Sequence, residues 1–206
     1  MTKKKHIKRW LTLIAFILIM ASLLFVFNVF GGLQGYRQRQ RAKQIQMPDY
    51  VNVQLLNVGM ARTGIPISDV KNIVIHYVGN PNSSAQNNRE FFNNPTTKVS
   101  SHFIVGLEGE IIQCVPLSEK SSASNWRNKD TISIEVCHPD ESGKFNDITM
   151  KSLVQLTAFL CKSFHLNEQD IIRHYDITGK ECPRYFVTHE EAFDEFKNKV
   201  KLEMSK

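Results

Sequence analysis

Leu11 through Phe30 is a run of 20 residues without a single charge, interrupted only by the polar side chains of Thr12, Ser22 and Asn28. At about 1.5 Å of rise per residue, a helix of that length crosses a hydrocarbon core roughly 30 Å thick. A segment apolar on every face does not suit one side of a small globular core. The chain is therefore expected to divide into a cytoplasmic basic tail (1–10), a transmembrane anchor (11–30), a juxtamembrane linker (31–47) and a folded domain (48–206). The run is longer than the apolar core of a cleaved signal peptide, and no small-x-small site follows it before Gly31, so the anchor is expected to stay attached.

The sequence pI of about 9.1 suggests a nucleic-acid binder until the charges are located. Nine of the 26 Lys and Arg residues lie within residues 1–44, which hold no acid, leaving 17 basic against all 20 acidic residues elsewhere. The folded part is mildly acidic, and no nucleic-acid partner is expected. Five basic residues precede the apolar run and four follow it, a slight lean toward a cytoplasmic N-terminus. Gly31 to Met47 is rich in Gln, Arg and Gly without apolar periodicity and reads as a solvated linker. As a flexible chain it would reach about 20–25 Å on average and at most about 60 Å.

The remainder alternates strand and helix signals. Asn72–Val78 is a short β-branched run closed by Gly79-Asn80-Pro81-Asn82 and reads as a buried strand with His76 near its end. Ser84–Asn94 reads as a helix capped by Ser83 or Ser84. His102–Val105 and Glu110–Val115, joined through Gly106-Leu107-Glu108-Gly109, carry a hairpin signal. Thr131–Val136 is a strand with Thr131, Ser133 and Glu135 on one face and apolar residues on the other. Thr149–Phe164 is an amphipathic helix behind Asp147 as cap, Ile171-Ile172 opens a last strand, and a terminal helix is expected from Thr188 to about Met204. The fold class is α/β, a mixed central β-sheet covered by helices and preceded by one transmembrane helix.

Cys114, Cys137, Cys161 and Cys182 suffice for two bridges, but a chain of this size does not need them, and Cys114 and Cys161 fit the core as free thiols. His174, Lys180 and Cys182 share one loop, and a His-Cys pair at that spacing is more often structural than metal-binding.

Taken together, Ile73-Val74-Ile75-His76-Tyr77, Ser100–Val105, Gly109–Gln113, Thr131–Glu135 and His174-Tyr175-Asp176 with Lys180-Glu181-Cys182-Pro183 resemble the type 2 N-acetylmuramoyl-L-alanine amidases. Their zinc fold is shared with T7 lysozyme and the peptidoglycan recognition proteins. The motifs occur in the family's order across roughly residues 50 to 200. The resemblance implies Zn2+ held by His76, His174 and Cys182, Glu135 as general base and Lys180 as stabiliser of the tetrahedral intermediate. It implies peptidoglycan as partner, cleaved between N-acetylmuramic acid and L-alanine. Because peptidoglycan lies outside the cell membrane, a single-pass anchor with a cytoplasmic N-terminus and an extracellular, monomeric catalytic domain is expected.

Some relatives carry a catalytic tyrosine at the position of Ser101; with serine there, the base falls to Glu135. His102 beside it is expected to be structural or to line the cleft against substrate. His138, His165 and His189 are expected to face solvent. The family's Trp-His-Ala-Gly-like segment is represented only by Ser121–Trp126. Asn125 and Trp126 are assigned to the substrate groove, a core anchor being the alternative for Trp126. Three rival functions stand beside the amidase: a non-catalytic peptidoglycan-binding module tethered to the membrane, a cysteine hydrolase using Cys137 or Cys182, and a tethered recruiter of partners.

Overall fold

The computed structural model of the chain describes residues 2–206; Met1 and the side chains of residues 2–5, 7, 8, 28, 30, 31 and 34 lie outside the described set, among them four lysines of the expected basic tail. Two units are distinguished, one ending at Arg37 and a globular one spanning Gln38–Lys206. Helix α1 (Thr2–Gln44) contains the stretch Arg9–Phe27, long and apolar enough to cross a membrane, with its apolar side chains exposed.

The expected linker is a correction. Residues 31–44 are helical, as the helix propensity of Gln, Arg, Ala and Lys allows. The globular unit starts well before Pro48: Gln38 exchanges hydrogen bonds with both the N–H and the carbonyl of Val70, and Ala42 is buried in the main core. Residues 38–44 are thus not free tether.

Six strands form one sheet in the order β1-β4-β3-β5-β2-β6. They are β1 (Val51–Val53), β2 (Asn72–Tyr77), β3 (Phe103–Val105), β4 (Ile111–Gln113), β5 (Thr131–Val136) and β6 (Ile171–Arg173). All pairings are parallel except the β3–β4 hairpin, in which Ile104 faces Ile112. Gly109 at φ 81° closes the hairpin, and a Cβ there would come within 2.8 Å of Ser152 Oγ and 2.9 Å of Ile148 Cγ2. The three-residue edge strand β1 carries too short a pattern to be seen in the sequence.

Side-chain alternation assigns the two faces of the sheet. Ile73, Ile75, Phe103, Val105, Ile132, Ile134 and Val136 join the core beneath α3 (Asp147–Phe164) and α6 (Glu190–Met204). The opposite face carries Ile104 and Ile112 against α2 (Ala85–Asn93), and it is the face of His76 and Glu135. The polar side of β5 is as expected, and on it Thr131 and Ser133 are fully buried.

Helix α2 starts from the Ser84 cap, its side chain accepting from Asn87 N–H. Helix α3 begins at Asp147 with Asn146, not Asp147, as cap. The terminal helix α6 starts two residues later than expected, and a separate short helix α5 (Arg184–Thr188) precedes it across His189. Phe186 of α5 is fully buried between Phe145, Phe193 and Phe196, with ring centroids 5.3, 5.3 and 5.4 Å away. Phe186→Ala is expected to destabilise the globular unit by about 3–5 kcal/mol, the usual range for emptying an aromatic site. Urea unfolding of the variant beside the parent measures it.

Candidate metal centre and cleft

His76 sits near the carboxyl end of β2, in register with Glu135 of β5. His174 follows β6 directly as the first residue of the short helix α4 (His174–Thr178). Gly179 ends α4 at φ 74°, where its lack of a side chain avoids strain. The chain then doubles back: Tyr175 N–H donates to Cys182 O at 2.9 Å and Cys182 N–H to Lys180 O at 2.7 Å. This return brings the thiol to the two histidines.

One ligand atom from each of His76, His174 and Cys182 lies within 4.8 Å of the others, and all three residues are buried. Cys182 Sγ is 3.8 Å from His76 Nδ1, and the imidazole centroids are 4.7 Å apart. Burial, then the neighbouring His174 and Lys180, push the His76 pKa well below the ordinary 6.5; burial and Lys180 lower that of His174. Both imidazoles are therefore neutral at pH 7. Burial, reinforced by Glu135, pushes the Cys182 thiol up to about 12. Two neutral nitrogens and one sulfur, converging without a carboxylate among them, suit a zinc-type cation that keeps a further position open.

Glu135 is half-buried, but its Oε2 is wholly shielded and has no hydrogen-bond partner among the described residues. Burial pushes its carboxyl up to about 8, against the opposing pull of Lys180. The three candidate ligands, Glu135, Lys180 and Asn125 all line one cleft of about 780 Å³. Its other wall comes from α2 and the segment after it, with Phe91, Lys98 and Val99.

The structure thus brings together six of the eight expected site residues. The other two lie elsewhere. His102 does not line the cleft: it is fully buried, its Nδ1 accepting from Ser133 N–H at 3.0 Å and its Nε2 lying 2.9 Å from Glu119 O. Its ring nitrogens are spent on backbone partners, so it is structural. Trp126 is 64% exposed and belongs neither to the cleft lining nor to the core. His138, expected in solvent, is buried, with Nδ1 2.7 Å from Asp140 O and its ring 5.0 Å from Tyr77. His189 is half-buried and stacked on Tyr185, while His165 is exposed as expected. Cys114 and Cys161 are buried free thiols, as are the other two cysteines.

The N-acetylmuramoyl-L-alanine amidase family model matches residues 66–185, from ahead of β2 through the Cys182 loop. The chain belongs to this amidase family. It is 34% identical over 165 residues to the N-acetylmuramoyl-L-alanine amidase BlyA of Bacillus subtilis, covering 70% of this chain and 44% of that protein. It is 30% identical over 156 residues to the amidase CwlL of Bacillus licheniformis, covering 68% of this chain and 43% of the relative. The chain therefore spans less than half the length of these curated relatives. A mutant endolysin from Bacillus subtilis superposes with a TM-score of 0.64 at 25% identity, over 73% of this chain and 97% of that one. These likenesses fix the amidase fold, a mixed sheet with helices on both faces.

Two site residues of this amidase-family domain escape sequence reading. Ser124, fully buried, places its Oγ 3.3 Å from His76 Nε2, and Asn128 Oδ1 accepts from the N–H groups of Ala123 and Ser124 at 3.0 and 2.6 Å. Ser124 is marked in the sequence by its place in Ser121–Trp126, and Asn128 by proximity to the glutamate strand alone.

Burial lowers the His102 pKa from 6.5 to about 4. The unfolded chain then binds the extra proton first as pH falls, so this histidine costs no stability above pH 6.5 and removes it progressively between 6.5 and about 4. The loss amounts to about 3 kcal/mol at about 1.4 kcal/mol per pKa unit. Urea unfolding at stepped pH should give His102→Asn a shallower acid slope than the parent; parallel curves would contradict a neutral, buried His102.

Proposed function

We propose that the globular unit is a zinc-dependent peptidoglycan hydrolase that cleaves the amide between the lactyl group of N-acetylmuramic acid and the L-alanine of the stem peptide. The observation that carries this reading is the convergence of His76, His174 and Cys182 on the floor of the cleft that Glu135 and Lys180 also line. Held by those three residues, a zinc ion would supply Lewis acidity and make hydroxide available near neutral pH. Burial favours the protonated carboxyl of Glu135, and the charge of a cation held by the three ligands would favour the ionised one. Ionised in that way, Glu135 takes the proton of the attacking water and returns it to the departing amine, with an Oε2 that is otherwise unpaired. Lys180, exposed at the cleft rim, offsets the negative charge that develops on the carbonyl oxygen. The amidase names of the relatives support the bond assignment.

A cysteine hydrolase fits less well. Burial pushes the thiols of Cys137 and Cys182 up to about 12, the opposite of an activated nucleophile. The apolar stretch Arg9–Phe27 supports a single-pass anchor in the cell membrane. A peptidoglycan substrate outside that membrane calls for a cytoplasmic N-terminus and a domain, read as a monomer, on the cell-wall side. Tethered in this way, the domain would act on wall close to the membrane.

Purified sacculi provide the test. The parent should release L-alanine amino termini, lose that activity to a chelator and regain it with added zinc. Glu135→Gln should keep its zinc while turnover falls by about 10²–10⁴-fold. Zinc-loaded parent that binds sacculi without releasing termini would favour the tethered binding module instead.

A further inference from the structure

The loop Ala123–Lys129 touches both imidazoles of the ligand cluster from one side. Ser124 Oγ lies 3.3 Å from His76 Nε2, and the next residue sets Asn125 Oδ1 3.0 Å from His174 Nε2. The other nitrogen of His76, Nδ1, is the atom 3.8 Å from Cys182 Sγ. One edge of that ring therefore faces a hydroxyl and the other faces the thiol.

This loop is held from within. Asn128 Oδ1 accepts from the N–H groups of Ala123 and Ser124 at 3.0 and 2.6 Å, and Thr131 Oγ1 donates to Arg127 O at 2.8 Å. Arg127 Nε donates to Asp130 Oδ1 at 2.8 Å. Asn125 adopts φ 52°, in the left-handed region that asparagine enters more readily than most residues. Two adjacent side chains are thereby fixed against two histidines from different elements, one near the end of β2 and one at the start of α4.

A neutral imidazole has one N–H and one lone pair, so the partner of one nitrogen decides the task of the other. A carboxamide oxygen only accepts, which keeps the proton of His174 on Nε2 and leaves Nδ1 with the lone pair. The Ser124 hydroxyl does the same for His76 when it accepts from Nε2, leaving Nδ1, the atom facing Cys182, free to donate to a cation. We propose that Ser124 and Asn125 are positioning residues that set the tautomer and orientation of His76 and His174, so that Nδ1 of each is offered to a divalent cation shared with Cys182. The inference rests on the metal reading of the site given above. It moves Asn125 from contacting substrate to orienting a ligand, and gives Ser121–Trp126 a task despite its departure from the family's usual segment.

Zinc affinity of the full chain, measured by competition with a chromophoric chelator, tests this together with the visible spectrum of the cobalt-loaded protein. Ser124→Ala and Asn125→Gly should each raise the zinc dissociation constant roughly 10- to 100-fold, as losing an outer partner of a ligand histidine does elsewhere, and should shift the cobalt bands. Glycine is chosen because it removes the acceptor without straining a positive φ. Asn125→Asp retains the acceptor and should stay close to the parental affinity.

Parental affinity and an unchanged cobalt spectrum in both Ser124→Ala and Asn125→Gly would overturn the inference, as would Asn125→Asp losing as much as Asn125→Gly. Should the variants not fold, nitrogen-15 NMR of the metal-free parent reads the tautomers directly. Nε2–H is expected on both rings, and Nδ1–H on either overturns the proposal. A parent that binds no zinc would instead remove the metal reading itself, an outcome distinct from zinc-binding variants that match the parent.

Discussion

Parallel pairing of β2 with β5 and β6 places three strand ends on one edge of the sheet, and the site exists only because those ends coincide. In a parallel pair, residues in register point to the same face, so His76 opposite Glu135 sets a ligand and a carboxyl side by side. A slip of one residue would turn Glu135 toward the α3–α6 layer and bring an apolar neighbour beside His76. It would also carry Thr131 and Ser133 into that layer, where each unsatisfied polar group costs about 1–3 kcal/mol. The packing that makes the fold stable thus protects the register that makes the site.

The same burial governs the electrostatics. It drives the two imidazoles, the Cys182 thiol and the Glu135 carboxyl each toward the uncharged form. Among the described residues, Lys180 at the rim is the one charge that acts on all four. Neutral nitrogens are what a divalent cation requires, and the thiol gives up its proton on binding one. The floor of the cleft accordingly offers a cation two neutral nitrogens and a thiol sulfur, all from buried residues.

Legibility in the sequence followed the range of the interactions. β2, β5, the hairpin and the capped helix α2 are written in adjacent residues, and they were readable. His76, His174 and Cys182 converge as the motif order implied, because strand ends and one short loop carry them. His102 stays open between a structural and a cleft-lining role in the sequence because what satisfies it, Ser133 N–H and Glu119 O, lies 31 and 17 residues away. Ser124 and Asn125 meet their histidines across 48 and 49 residues, which no local pattern encodes. Residues 31–47 read as linker because they lack an apolar stripe, yet over 31–44 the helix propensity of Gln, Arg and Ala suffices, with Gln38 and Ala42 partnered in the globular unit.

Arg173 shows how a loop can hold a ligand firmly without a disulfide. Its guanidinium donates to Asp176 Oδ1 at 2.8 Å and to Phe186 O at 2.9 Å, so one buried cation bridges the start of the ligand loop and the helix that follows it. Asp176 also accepts from Arg173 N–H at 2.8 Å, closing the first turn of α4 beneath His174. Phe186, anchored among three aromatic rings, fixes the far end only four positions beyond Cys182. Between these two fixed points, the bond from Tyr175 N–H to Cys182 O leaves the thiol little freedom along the chain. A loop ordered in this way gives up its conformational entropy on folding rather than on binding a cation, which keeps His174 and Cys182 poised as a preformed pair.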